Sequence, residues 1–120
     1  MLTVKEAIYN VCTIILDKAD LSKLGHDRKH QLYTLASLQN RFNDLLRLNE
    51  RVYLNDVYKS LKLRVDEKSP INHVGWQYRP NDTTIDSFVD FGIWNLDNKD
   101  FINGYGNRII LDFNVDGVID

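Results

Sequence analysis

Cysteine is nearly missing from this 120-residue chain. The single Cys12 excludes an internal disulfide and a structural zinc site built from several thiolates, and it fits a reducing compartment. Long apolar runs are missing as well: no stretch approaches the roughly 18 consecutive apolar residues that a membrane-spanning helix needs. The opening segment MLTVKEAIYNVCTIILDKAD carries charges inside its apolar face and lacks a small-residue cleavage site, so it does not read as a signal peptide. We expect a soluble, intracellular protein that does not engage a membrane. Also lacking are GxSxG, a Walker loop, GxGxxG and HExxH. Gly104-Tyr105-Gly106 shares only its two glycines with a phosphate loop, and it precedes a strand rather than a helix N-terminus.

What remains is 43% apolar, 27% charged and 11% aromatic, the profile of one compact domain over residues 1–120. The net charge of −2 hides an asymmetry. Residues 1–68 hold 12 Lys/Arg against 9 Asp/Glu, whereas residues 69–120 hold 3 against 8. Neither part has the dense basic stripe that nucleic acid demands, and the acidic part would repel a phosphate backbone, so we expect no direct nucleic-acid binding.

Two longer helices are expected within residues 1–51. Thr3 and Glu6 form a capping-box pattern, and Val4, Ala7, Ile8, Val11, Ile14 and Ile15 recur at helical spacing to about Lys18. ADLSKLGHD reads as a connection in which Ser22 or Asp27 caps the second helix. From about Arg28 to Arg51 there is neither Pro nor Gly, and Leu35, Leu38, Phe42, Leu45, Asn49 and Val52 follow a 3-4-3-4 spacing. That seam serves either packing inside the chain or assembly of a homo-oligomer, with Asn49 as the polar residue that fixes register.

Residues 52–120 are expected to hold one short helix, capped by Asn55 and presenting Val57, Tyr58 and Leu61, followed by strands. The segment from Asp66 to Gly75 reads as a loop. Beyond Gly75 the periodicity becomes two-fold: Trp76 with Tyr78, Val89 with Phe91 and Ile93, then RIILDFNVDGVI bending at Asp116-Gly117. The whole predicts an α+β fold, with two longer N-terminal helices and one short helix packed on a small antiparallel sheet of three to five strands, most simply a meander.

Few patterns carry chemistry. Asp112 to Asp120 matches the first nine positions of a calcium loop, but a strand with Ile109, Leu111, Phe113 and Val115 inward explains the same residues. His26 and His30 have a metal-like spacing without an evident third donor, so they read as a solvated helix end and no metal or cofactor is expected. Cys12 borders an apolar face, where a thiol behaves as a small hydrophobe. Asp86, Asp90, Asp112 and His73 are the groups a ligand-binding or metal-dependent enzyme would have to gather in a pocket. The aromatic residues say more: Trp76, Tyr78, Phe88, Phe91, Trp94, Phe101, Tyr105 and Phe113 lie in the last 45 residues. If Phe91 and Ile93 face the helices, Trp94 faces outward, and with Asp97, Tyr105, Asp90 and Asp112 it forms a candidate protein-binding surface.

YLNDVYKSLKL, HVGW, SFVDFGIW and RIILDFNVDGVI together resemble the C-terminal module of small uncharacterised proteins encoded by bacteriophages of Gram-positive bacteria, over about residues 52–119. Proteins of that group often carry N-terminal membrane segments, where this chain has amphipathic helices. The resemblance implies a phage origin and an α+β module, and it implies no activity. The expectation is a non-enzymatic protein that binds a host factor, for example as an inhibitor of a defence or nucleic-acid enzyme, or a virion component, in the host cytoplasm or the virion. The alternatives are the carboxylate-based enzyme and a homo-oligomer assembled through the Leu35–Val52 seam.

Overall fold

The computed structural model describes residues 12–64 and 70–119. The chain is α+β, and its strands are antiparallel in two sheets. Strand β1 (Thr13–Leu16) pairs with β4 (Ile109–Asp112), and β3 (Val74–Gln77) lies between β2 (Arg51–Tyr53) and β5 (Gly117–Val118). The expected meander is therefore corrected, because two of the three pairings join the N-terminal part of the chain to the C-terminal part.

The expected first helix lies mostly outside the described residues, and its last turn is a correction: Thr13-Ile14-Ile15-Leu16 is a strand. Three consecutive β-branched residues favour extended backbone, and β4 supplies the partner that a reading of periodicity alone does not foresee. Helix α1 (Lys18–Ser22) comes directly after it. Asp17 caps this helix, its carboxylate accepting from the Asp20 backbone N–H while the Asp20 carboxylate accepts from the Asp17 N–H. Ser22 caps nothing: its hydroxyl donates to Ala19 O. Asp27 is the N-cap of helix α2 (Arg28–Asn49), which ends where Glu50 turns to the left-handed conformation at φ 66°.

The heptad seam on α2 is turned toward the chain's own core. Leu35 and Phe42 are buried, and Leu38 and Leu45 pack against that core. Asn49 is exposed at the helix end, and Val52 is a buried residue of β2 rather than a further helical position. Helix α3 (Leu54–Ser60) begins before Asn55, the expected cap. Its N-cap is Tyr53, and Asn55 lies inside the helix with its side-chain amide donating to Asn72. Val57, Tyr58 and Leu61 are buried as expected.

Gly75 lets the three-stranded sheet close, since a Cβ there would stand 2.1 Å from Val52 O. Trp76, Phe91, Leu111 and Phe113 fill the centre, with Phe113 edge-on to Tyr58, Trp76 and Phe91. Helix α4 (Lys99–Ile102) comes after a 3₁₀ turn (Leu96–Asn98) and contributes the buried Phe101.

The segment from Phe88 to Ile93 keeps the expected alternation, with Val89, Phe91 and Ile93 buried, but belongs to no regular ladder. Side chains stitch its backbone instead. Asn43 accepts from Val89 N–H and donates to Val89 O, and Gln39 accepts from Phe91 N–H. On the other side Asp112 N–H donates to Phe91 O and Asn114 N–H to Asp90 O. Helix side-chain amides thus take the place of a neighbouring strand.

Candidate functional site

The surface that carries the outward aromatic residues is built from the turn after Phe91. Gly92 has φ +70°, and a Cβ there would stand 2.9 Å from Asp112 O, so only glycine lets the chain turn this close to β4. Asp90 fixes the same turn by accepting from Gly92 N–H, and Asn95 N–H donates back to Gly92 O. Beneath it lies Asn98, almost wholly buried. Its amide donates to Gly92 O, Ile93 O and Ile110 O, and its carbonyl accepts from Ile110 N–H. The turn is thereby fastened to β4 through one side chain whose amide and carbonyl are both engaged.

What this scaffold holds outward is apolar. Trp94 is 61% exposed and Leu96 84%, two residues apart on the same turn. Tyr105 is 87% exposed on the loop after α4, where its N–H donates to Asp100 O. Asp97, Asp100 and Arg108 line a cleft of about 180 Å³ together with Phe101, Gly106, Asn107 and Ile110. A second cleft of about 240 Å³ shares Phe101, Gly106 and Asn107 with the first, and Lys18, Leu21, Arg28 and Gln31 complete its wall. The Gly106–Asn107 loop thus borders both an acidic-edged cleft and a basic one.

The five residues expected to bind a partner fall into two groups. Trp94 and Asp97 are exposed on the stretch before α4, and Tyr105 is exposed on the loop after it. Asp90 is half-buried and engaged in holding Gly92, and Asp112, although exposed, accepts from the Thr13 hydroxyl across the β1–β4 pair. Sequence reasoning misses Leu96, although its place between Trp94 and Asp97 outside the two-residue alternation is a usable signal. It also misses Asn98, because one asparagine among polar neighbours carries no periodic mark.

The carboxylates of the enzyme alternative do not gather in either cleft. Asp86 accepts from the Asn114 amide, whose carbonyl accepts from Trp76 Nε1–H and Asp90 N–H. The oxygens of the calcium-like run are likewise engaged within the protein: Asp112 with Thr13, Asn114 with Trp76, and Asp116 with Gln77 N–H at 2.7 Å. Burial, reinforced by the charges of Asp86 and Asp82, raises the Asp116 carboxyl above the ordinary range, and the Gln77 N–H works the other way. Burial first, and the Asp112 charge second, push the Cys12 thiol up to about 11, so it is protonated at neutral pH.

No helix among the described residues is long and apolar enough to cross a membrane. Paired antiparallel sheets, capped helices and an outward aromatic turn define the chain as an α+β protein with a pre-ordered apolar surface. It belongs to the family described as "Family of unknown function (DUF6353)", whose model matches residues 5–120. That match takes in all but the first four residues of the chain. No match was found among curated proteins or among solved structures.

Proposed function

We propose that this chain acts by binding another protein through the turn that carries Trp94 and Leu96, with Tyr105 and Asp97 at its edge. The observation that carries this reading is the exposure of Trp94 and Leu96 on a turn fixed from below by Asn98. Holding two large apolar side chains in water on a rigid turn brings no gain to an isolated monomer, whereas a pre-ordered aromatic anchor lowers the ordering cost of association. In the phage setting that the sequence resemblance implies, the partner is a host factor or a virion component, and the protein works in the host cytoplasm or the virion. The excess of 8 acidic over 3 basic residues in the 69–120 part favours a partner with a basic surface.

The reading is tested by pull-down from host cells with the intact chain and with Trp94→Ala and Leu96→Ser. Both variants are expected to melt within about 2 °C of the parent, as exposed positions do, and to lose the captured protein. Capture should also weaken as salt rises. Unchanged capture by both variants would overturn the assignment of the surface.

A further inference from the structure

Among the described residues, one group of three metal-ligating side chains converges: His26, Asp27 and His30 at the start of α2. One ligand atom from each lies within 4.8 Å of the others. Asp27 sets the geometry. As N-cap, its Oδ1 accepts from His30 N–H at 2.8 Å and stands 2.7 Å from His30 Nδ1, while its Oδ2 lies 3.4 Å from His26 Nε2. The two imidazole rings are drawn over one another, with centroids 4.2 Å apart. Histidine spacing alone provides two donors and no third. The fold supplies the third from a residue whose capping role conceals it.

We propose that His26, Asp27 and His30 bind a divalent transition-metal ion of the zinc type. Two imidazole nitrogens and one carboxylate oxygen suit zinc, nickel or cobalt, whereas calcium and magnesium take oxygen ligands. A metal ion needs its donors about 3.3 Å apart, so the 2.7 Å contact between Asp27 Oδ1 and His30 Nδ1 would open by a side-chain rotation, which three exposed side chains allow. All three side chains are exposed, which leaves coordination positions open to water or to a donor from another molecule. The neighbouring cation Arg28 turns its guanidinium against Gly104 and lines the cleft beside Phe101. The proposal is independent of the Trp94 surface and uses none of its residues.

The experiment is calorimetric titration of the chelator-treated chain with zinc(II), followed by cobalt(II) absorption spectra. One equivalent of zinc is expected to bind, and cobalt should show visible d–d bands. His26→Ala and His30→Ala should each weaken binding by at least the roughly tenfold that loss of even an outer-shell partner costs. Asp27→Asn separates ligation from folding: asparagine caps a helix as well as aspartate does, so melting of the metal-free chain should fall only by the small contribution of the exposed carboxylate charge while zinc affinity drops at least tenfold. Absence of heat and of any zinc-dependent rise in melting temperature would overturn the proposal. Equal affinity in the double variant His26→Ala/His30→Ala would overturn it too.

Discussion

Asn98 and Tyr58 are both buried polar residues, and they stand in opposite conditions. Asn98 makes four hydrogen bonds to backbone groups of the 92–93 turn and β4. The Tyr58 hydroxyl meets no partner among the described residues. Removing a group that satisfies others leaves them unpaired, whereas removing one that is itself unsatisfied does not. Asn98→Ala should therefore cost about 3 kcal/mol or more, and Tyr58→Phe should be neutral or slightly stabilising. Urea denaturation of the two variants checks the contrast, and equal losses would contradict it. The same pair shows what a sequence makes legible. Helical spacing places Tyr58 in the core, but Asn98 is invisible because its importance comes from four backbone groups on either side of it, which only the folded chain brings around its side chain. Trp94 is readable as outward, since it falls out of step with Phe91 and Ile93. Asp90 and Asp112 are not, because nothing local reveals that Gly92 and Thr13 already engage them.

At the level of elements, α2 does two things with one face. Leu35, Phe42 and Leu46 fill the core, and Gln39 and Asn43 reach across to hydrogen-bond the 89–91 backbone. The helix is legible from Asp27 to its end because cap, composition and spacing agree over 22 residues. Its partner segment is legible in its alternation but not in its pairing, since period-two burial comes with extended backbone whether the hydrogen bonds come from a strand or from side chains. The strand Thr13–Leu16 is hidden for the converse reason. Its apolar residues fit a helical face, and only β4, far along the chain, decides for extension. Asn43→Ala removes a donor and an acceptor that both serve Val89, at an expected cost of about 1–3 kcal/mol. Faster amide hydrogen exchange should appear at Val89 before it appears in β3, and uniform loss of protection would show that the segment is not held locally.

For the molecule as a whole, charge is distributed rather than balanced, and acid stability should reflect it. Asp116 is raised above its ordinary value, so the folded state keeps a proton at pH values where the unfolded chain has released it. Ionising Asp116 therefore costs stability as pH rises through the folded-state value, and protonation returns it as pH falls. Asp17, Asp27 and Asp82 are lowered by hydrogen bonds, so their contribution is present above the ordinary range and is lost on acidification. Asp116→Asn keeps an oxygen for Gln77 N–H and removes the partly buried charge. It should raise the melting temperature at pH 7, with the difference shrinking toward pH 3. A constant difference across that range would assign the effect to packing.

The pairing of Thr13–Leu16 with Ile109–Asp112 has a consequence in time. During synthesis β1 leaves the ribosome about 95 residues before its partner, an interval of roughly 5–20 s at ordinary translation rates. Until β4 emerges, the Thr13-Ile14-Ile15-Leu16 edge has no native partner, and such unpaired apolar edges invite association with other chains. Closing so long a loop also places this pairing among the slow, non-local steps of folding. Nascent chains arrested before Ile109 should therefore expose β1 to chaperones, and release past Asp112 should be what hides it.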